Sequence, residues 1–241
     1  MSSPRRRAVI LAGGKGSRLR PFTVTIPKPL VPIGDVPILE VLIRQLKHQG
    51  FERVTVSVGH LASLIRAFCG HGERWGVDLD YLFEERALGT IGCLGLLEDL
   101  GPDERVLVVN GDTLTDLDMA RVHDAHAERD AITVCASRRS VDVQFGVLET
   151  DGDYLASYTE KPTLSYRVSM GINVLSGWAV ARYVPRGEPL DTPQLVERLL
   201  GAGERVRVVD TDAYWLDLGR LEDLETGTAA FAADPRRFLP E

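Results

Sequence analysis

The fold and the chemistry of this chain are both indicated by its opening run, Ala8-Val-Ile-Leu-Ala-Gly-Gly-Lys-Gly-Ser-Arg18. The apolar start of the run predicts a fully buried strand. The glycines that follow let backbone N–H groups approach a phosphate with no Cβ in the way. Arg18 adds a forked cation, and Lys28 adds a second positive charge between two prolines. The run therefore predicts a binding site for a polyphosphate.

Two familiar phosphate loops do not fit this run. A P-loop needs Gly-Lys-Ser/Thr at its end, but Lys15 is followed by Gly16. A dinucleotide fingerprint needs a third glycine where Leu19 stands. The longer string at residues 11–23, with Pro27-Lys-Pro-Leu-Val-Pro32, resembles the signature of the sugar-1-phosphate nucleotidyltransferases, or nucleotide-sugar pyrophosphorylases. Within that family, the short length and the run Leu190-Asp-Thr-Pro-Gln-Leu-Val196 resemble bacterial mannose- and heptose-1-phosphate guanylyltransferases.

The resemblance implies attack of a sugar-1-phosphate oxygen on the α-phosphorus of a nucleoside triphosphate, giving a nucleotide sugar and pyrophosphate. Because the nucleophile is already an anion, the step needs charge neutralisation and in-line positioning, not a catalytic base. Two carboxylates should therefore hold Mg²⁺ between the phosphates. Asp112 and Asp217, the latter in Trp215-Leu-Asp-Leu-Gly219, match the family's two metal-binding aspartates. The alternatives are an ordinary turn at Asp112 and a helix cap at Asp217.

Three cations match family positions that contact the phosphates. Arg18 resembles the arginine that grips the β- and γ-phosphates, and Lys28 resembles the Pro-Lys-Pro lysine that reaches the reacting groups. Glu160-Lys161-Pro162 resembles a motif in which Lys161 holds the sugar phosphate and Glu160 a sugar hydroxyl. A Glu-Lys pair before proline is also a common surface turn. The predicted catalytic residues are Arg18, Lys28, Asp112, Lys161 and Asp217.

The other contacts implied by the resemblance form a nucleotide group and a sugar group. The nucleotide group is Leu11, Ala12, Gly13, Gly14, Gly16, Ser17, Glu85, Gly89, Thr90 and Gly111. The sugar group is Phe145, Gly146, Glu160, Gly171 and Asn173. Plain turn chemistry is the alternative around Gly89 and Gly146. The chain departs from the family pattern at Ala87, where proline is usual, and at Ser169-Met-Gly-Ile-Asn173, so the sugar's identity is open.

The choice of nucleotide rests on analogy within the family. Pro27-Lys-Pro29 is closer to guanylyltransferases and some uridylyltransferases than to thymidylyltransferases. We therefore favour GTP with a hexose- or heptose-1-phosphate over a thymidylyl-, uridylyl- or cytidylyltransferase. The alternative from another class is a non-catalytic, nucleotide-sugar-binding regulatory subunit, against which the retained catalytic residues argue. A molybdopterin-type transferase fits the later motifs poorly, and a retaining glycosyltransferase rests on the fold alone.

Short apolar strands alternate with amphipathic helices in the first half, and antiparallel strands follow. Helical spacing occurs at residues 39–46 and 61–68, and helix signals recur at Thr192-Pro193. Strands are predicted at residues 54–58, 79–83, 106–109, 132–135, 145–148, 154–160, 168–175 and 206–209. We expect an α/β fold with a Rossmann-like, doubly wound, mostly parallel mixed sheet flanked by helices. Ligands of such sheets bind at the carboxyl ends of the strands.

One nucleotidyltransferase domain over residues 1–241 is predicted, with a nucleotide-binding half at about 7–115 and a sugar-phosphate-binding half at about 116–232. The two halves should share a sheet, with a cleft between them. Too few residues follow Asp217 for an appended hexapeptide-repeat domain, so we expect no C-terminal β-helix. Members of this family are often homo-oligomers, and the sequence carries no seam from which an assembly could be read.

Composition places the chain among ordinary globular proteins, with 44% hydrophobic and 26% charged residues. A net charge of −7 argues against nucleic-acid binding, and the basic run Arg5-Arg-Arg7 is interpreted as a solvated leader. No apolar stretch is long enough to span a membrane and no signal segment is evident, so we expect a cytoplasmic protein. Cys69, Cys93 and Cys135 are predicted to be reduced core residues. His123 and His126 are interpreted as a solvated helix face instead of a metal pair.

Overall fold

The computed structural model of the chain describes residues 6–239. The strands in this range are β1 (Arg6–Ala12), β2 (Pro32–Ile33), β3 (Val36–Pro37), β4 (Phe51–Val58), β5 (Asp78–Phe83), β6 (Arg105–Asn110), β7 (Thr113–Thr115), β8 (Asp130–Asp142), β9 (Val147–Asp151), β10 (Tyr154–Thr159), β11 (Thr163–Ser176), β12 (Arg205–Thr211) and β13 (Trp215–Asp217). The α-helices are α1 (Ile38–His48), α2 (Ala62–Cys69), α3 (Met119–Ala125), α4 (Gly177–Tyr183), α5 (Thr192–Gly201), α6 (Leu221–Ala233) and α7 (Pro235–Phe238). Short 3₁₀ helices span Ser17–Leu19, Phe22–Val24, Lys28–Leu30, Glu73–Trp75 and Gly92–Leu96.

A seven-stranded sheet forms the centre of the fold, in the order β12-β8-β11-β6-β1-β4-β5. β1 pairs in parallel with β4 and β6, and β4 pairs in parallel with β5. β11 is antiparallel to its neighbours β6 and β8, and β12 is parallel to β8. The predicted mostly parallel mixed sheet is therefore confirmed, and strands from both halves of the chain belong to it.

Helices cover both faces of this sheet because alternate residues of a strand point to opposite sides. In β1, Ala8 and Ile10 pack into a core with α1, α2 and α3, whereas Val9 packs into a core with α4 and α5. α1 begins directly after Pro37, and its predicted apolar positions at residues 39–46 are fully buried. Each such side chain contributes about 2 kcal/mol through loss of contact with water. The carboxyl ends of the parallel strands stay open between these layers.

The second half of the chain extends the sheet into an antiparallel ribbon. β8 and β11 continue to pair beyond the central sheet, from Ser137 with Val168 to Asp142 with Thr163. β9 and β10 form an antiparallel pair of their own. The strand predicted to start at Phe145 starts instead at Val147, because the chain bends at Gln144 and Phe145. We call residues 137–169 the outer ribbon.

The prediction that Arg5-Arg-Arg7 is a solvated leader is wrong for Arg6 and Arg7. Arg6 and Arg7 are the first residues of β1, and Arg7 is buried. The Arg7 guanidinium donates to the carboxylate of Asp99 at 2.7 Å, so the buried charge has a partner. Arg5 lies outside the described residues.

The prediction that His123 and His126 form a solvated helix face is wrong. His123 is buried on α3, and its ring meets the ring of Phe51 edge-on at 5.6 Å. His126, just after α3, is buried with its ring nitrogens 2.8 Å from the hydroxyls of Thr133 and Ser176. Burial lowers the pKa of His126 to about 4, so its ring is neutral near pH 7. These histidines are internal packing and hydrogen-bonding groups.

The three cysteines are buried free thiols, as predicted. Burial raises the pKa of Cys69 to about 12 and that of Cys135 to about 11, so these sulfurs are unreactive packing groups. None of the helices within residues 6–239 combines the length and the apolar character that crossing a bilayer requires.

Candidate active site

The glycine loop after β1 folds back so that its cations face the end of the sheet. Gly16 has φ +58°, and a Cβ there would lie 2.9 Å from Cγ2 of Thr23 and 3.0 Å from Cβ of Lys28. The Thr23 hydroxyl donates to the Gly16 carbonyl at 2.7 Å. Arg18 reaches across to Gly219, where a Cβ would lie 3.3 Å from its guanidinium. Because these two glycines have no Cβ, Lys28 can pack against Gly16 and the Arg18 guanidinium against Gly219.

The turn after β6 sits directly against β1. The backbone N–H of Gly111 donates to the Leu11 carbonyl at 2.9 Å. A Cβ at Gly111 would lie 2.7 Å from that same oxygen, so the close approach needs glycine. Asp112 follows immediately, and its carboxylate accepts a hydrogen bond from Lys28 Nζ. The predicted turn therefore delivers Asp112 to the Pro-Lys-Pro lysine.

A short ladder between β7 and β13 brings the second aspartate to the same place. Asp217 pairs with Thr113, and the backbone N–H of Leu218 donates to the Asp112 carbonyl at 2.9 Å. Lys28 Nζ lies 3.8 Å from Asp217 Oδ1. Asp217 does not cap α6, because the helix begins at Leu221 and the N-cap is Arg220. Burial, and then the neighbouring carboxylate of Asp112, raise the pKa of Asp217 above its ordinary value.

These loops surround a cleft of about 370 Å³ at the carboxyl ends of β1, β5 and β6. The cleft is lined by Leu11, Ala12, Gly13, Gly14, Arg18, Lys28, Pro29, Glu84, Ala87, Gly89, Thr90, Asn110, Gly111, Asp112 and Asp217. Its cations and two of its carboxylates lie together at one end. The other end carries small side chains and bare backbone around Gly13 and Gly89.

Comparison with known proteins agrees with this geometry. The model of the family described as "Nucleotidyl transferase" matches residues 7–234. The chain belongs to the nucleotidyl transferase family. The resemblance to sugar-1-phosphate nucleotidyltransferases predicted from the sequence is therefore confirmed.

The relatives of this chain are named for transfers that use different nucleotides. The chain is 34% identical to the UTP–glucose-1-phosphate uridylyltransferase of Synechocystis sp., covering 90% of this chain and 61% of the relative. It is 32% identical to the mannose-1-phosphate guanylyltransferase of Mycobacterium tuberculosis, covering 92% and 63%. The chain thus spans little more than three fifths of the length of these curated relatives.

A solved structure shows the same fold. HddC from Yersinia pseudotuberculosis, complexed with GMP-PN, superposes with a TM-score of 0.73 at 26% identity. The match covers 94% of this chain and 99% of HddC. The predicted fold class is confirmed by this likeness and by the strand order.

The folded chain brings only part of the predicted site together. The cleft contains four of the predicted catalytic residues and most of the nucleotide group. The predicted residues outside the cleft lining are Gly16, Ser17, Glu85, Lys161, Phe145, Gly146, Glu160, Gly171 and Asn173. Gly16 packs against Thr23 and Lys28, Ser17 is exposed at the start of a 3₁₀ helix, and Glu85 is exposed next to Glu84.

The predicted sugar group lies on the outer ribbon and on β11. Phe145 is 76% exposed, and Tyr158 donates to the Glu160 carboxylate at 3.0 Å. Gly171 faces the amide of Asn110, so it stands beside the cleft, whereas Asn173 is buried within the sheet. The contacts of this group with a sugar stay predictions.

Sequence reasoning missed Glu84 and Asn110 as cleft residues. Asn110 is the last residue of β6, and Glu84 directly follows β5. Both strands are parallel members of the central sheet, so the rule that ligands bind at strand carboxyl ends could have identified both. Both stand inside motifs, Glu84-Glu-Arg-Ala-Leu-Gly-Thr90 and Asn110-Gly-Asp112, whose other residues were assigned the contacts.

The aspartate pair has the chemistry of a divalent-cation site. Asp112 and Asp217 share a single ammonium group, so the trio carries a net negative charge. Asp217 Oδ1 is buried and lacks a hydrogen-bond donor among the described residues. Carboxylate oxygens of this kind suit Mg²⁺. Within residues 6–239 no third histidine, cysteine or carboxylate joins the pair to make a larger cluster.

Proposed function

We propose that this chain transfers a nucleotidyl group from a nucleoside triphosphate to a hexose- or heptose-1-phosphate, with Mg²⁺ as cofactor and GTP as the favoured nucleotide. The observation that carries the proposal is the meeting of Asp112, Asp217 and Lys28 beside the glycine loop. These residues come from distant parts of the chain, and their chemistry suits two negatively charged phosphates. The sugar-1-phosphate transferases among the relatives support the reaction class.

The proposed reaction is a displacement at phosphorus, in which one P–O bond forms and another breaks. A phosphate oxygen of the sugar-1-phosphate forms a bond to the α-phosphorus. The bond from that phosphorus to the oxygen bridging to the β-phosphate breaks, and pyrophosphate leaves with the electron pair. No proton has to be removed from the nucleophile, so positioning and charge neutralisation dominate the barrier.

We assign parts in this step to six residues of the cleft and to Lys161 outside it. Backbone N–H groups around Gly13 and Gly14 cradle the triphosphate, and Arg18 steadies the departing pyrophosphate. Lys28 places its ammonium between the reacting phosphates. Bound to Asp112 and Asp217, Mg²⁺ would supply Lewis-acid neutralisation of the phosphate charge. Lys161 on the outer ribbon is the proposed partner of the sugar phosphate.

The preference for GTP and for a hexose is supported by the relatives, and the heptose alternative rests on the resemblance in the sequence. HddC was solved with GMP-PN, and the M. tuberculosis relative is named for GTP chemistry. The Synechocystis relative is named for UTP, so uridylyl transfer is the principal competing outcome.

The test is pyrophosphate release by the purified protein over a grid of NTPs against hexose- and heptose-1-phosphates, with Mg²⁺. We expect release with GTP, abolished by EDTA and by Asp112→Ala. Release with UTP or dTTP alone would keep the reaction class and remove the preference for GTP. Binding of nucleotide sugars by a folded protein that releases no pyrophosphate over the whole grid would favour a regulatory subunit instead.

A further inference from the structure

A second cavity lies at the edge of the central sheet opposite the cleft. Its volume is about 440 Å³, and Arg7 and Arg105 are among the residues that line it. These two arginines lie at the starts of β1 and β6, whereas the other ends of the same strands reach the cleft at Ala12 and Asn110. A ligand in this cavity therefore does not compete with the substrates for space.

Arg105 is a cation without a carboxylate partner among residues 6–239. Its Nη1 donates to the carbonyls of His123 at 3.2 Å and His126 at 2.7 Å, which holds the guanidinium at the end of α3. Its Nε and Nη2 have no acceptor in the described part of the chain. Arg7, by contrast, is paired with Asp99. Because a guanidinium presents its donors in a rigid plane, the unused edge of Arg105 matches the two oxygens of a carboxylate.

Two further polar atoms of lining residues lack partners. Arg7 Nε and His123 Nε2 are buried and have no hydrogen bond within residues 6–239. Their side chains are 8% and 7% exposed. Since buried polar groups of folded proteins are nearly always hydrogen-bonded, two unpaired atoms beside one cavity indicate a polar occupant.

The exposed part of the lining carries the opposite charge. Asp103, Glu104 and Glu128 are exposed, and none of them makes an ion pair with a basic side chain of the described chain. These carboxylates would repel a multiply charged anion such as a phosphate, and Arg105 would repel a simple cation. The half-buried ring of Trp178 donates its N–H to the Glu128 carbonyl at 3.4 Å, so apolar surface adjoins the acidic residues.

We propose that this cavity binds an α-amino acid with an apolar side chain. The carboxylate of the amino acid accepts hydrogen bonds from Nε and Nη2 of Arg105. Its ammonium faces Glu128 and the neighbouring acidic residues, and its side chain packs on Trp178 and Leu100. A zwitterion complements both charges of the cavity and has no net charge for either to repel.

The experiment is calorimetric titration of the purified protein with L-tryptophan, L-phenylalanine and L-leucine at neutral pH. For molecules of this size we expect Kd values of roughly 0.1–1 mM. Tryptamine lacks the carboxylate and indole-3-propionate lacks the ammonium, so each should bind more weakly than L-tryptophan, by about tenfold and about fivefold. An excess of Mg²⁺ and GTP should not displace the amino acid.

Two variants test the position of the amino acid. Arg105→Met should lower the affinity for all three amino acids roughly 10- to 100-fold, with Arg121→Met at an exposed position of α3 as its matched control. Glu128→Gln should lower the affinity for L-tryptophan about fivefold and leave that for indole-3-propionate unchanged. Glu225→Gln, at an exposed position of α6, is the control for that exchange. Circular dichroism and thermal unfolding establish that the variants are folded.

The outcomes separate this inference from the proposed function. Absence of binding by all three amino acids up to about 10 mM overturns it. So does equal binding of L-tryptophan and indole-3-propionate, or unchanged affinity in a folded Arg105→Met variant. If Arg105→Met does not fold, the contrast of Glu128→Gln with Glu225→Gln decides the question, because Glu128 is exposed. Pyrophosphate release tests the nucleotidyl transfer separately, since none of these variants alters the cleft.

Discussion

The cleft and the outer ribbon differ in how their residues are held. In the cleft, glycines pack against other backbone segments, and charged side chains are fixed by named partners, as Lys28 is by Asp112. On the outer ribbon, Leu148, Leu155 and Tyr158 are 56–60% exposed. β9 and β10 pair only with each other. The nucleotide end of the proposed site is thus built in advance, whereas the sugar end is carried by a ribbon with few packing contacts.

This contrast assigns different tasks to the two regions. A preformed, charged cleft lowers the reorganisation that phosphoryl chemistry requires. A ribbon with exposed side chains can be altered without disturbing the core, so under the proposed function the choice of sugar can vary while the reaction is kept. The departure from the family pattern at Ser169-Met-Gly-Ile-Asn173 starts at the end of this ribbon and runs into the central sheet, where Met170, Ile172 and Asn173 are buried.

The largest expected effect comes from removing a charge in the cleft. Asp112→Asn keeps the shape of the side chain but weakens the carboxylate pair, and we expect kcat to fall on the order of 1,000-fold. Asp153→Asn makes the same exchange at an exposed position on the outer ribbon, where the rate should change less than twofold. Steady-state pyrophosphate release measures both. Similar losses in the two variants would contradict the assignment of the chemistry to the cleft.

A smaller effect is expected from a charge on the outer ribbon. Lys161→Met should raise KM for the sugar-1-phosphate and lower kcat/KM roughly 30-fold, because one charge-assisted contact is lost. The affinity for the nucleotide should not change. Lys47→Met, at an exposed position of α1, is the control for loss of a lysine. If nucleotide affinity falls as well, Lys161 serves the whole cleft and the separation of tasks is wrong.

The smallest expected effect is a difference in stability between two glycine variants. Gly16 in the loop and Gly152 in the ribbon have the same φ of +58°. A Cβ at Gly16 meets Thr23 and Lys28, whereas a Cβ at Gly152 meets nothing within 4 Å. We expect Gly152→Ala to lower the free energy of unfolding by about 1 kcal/mol and Gly16→Ala by about 1–2 kcal/mol more. Urea denaturation of both variants measures the difference. Equal losses would show that the loop relaxes as freely as the ribbon.

The sequence predicted best what depends on local chain geometry. The glycine loop and Asp112 follow strand ends, and parallel strands end at one edge of the sheet, so their meeting could be expected. The spacing of apolar residues likewise predicted α1 and the strands of the central sheet. The late Trp-x-Asp-x-Gly motif placed Asp217 through the family resemblance.

The failures concern partners that only tertiary structure supplies. Arg7 is buried because Asp99 accepts its guanidinium, and His126 is buried because Thr133 and Ser176 meet both ring nitrogens. Nothing beside these residues in the sequence announces such partners, so exposure was the wrong expectation. Glu84 is a different case, because its place directly after β5 could have identified it as a cleft residue, although its contact with Ser57 on a neighbouring strand could not be foreseen.

The pairing of β7 with β13 determines when, during synthesis of the chain, the two aspartates can come together. The strands that form the nucleotide end are synthesised first and can pair early. Asp112, however, gains its companion carboxylate only when β13 has emerged and docked beside β7. A chain that ends before β13 therefore lacks half of the proposed cation site, even where its first strands have paired.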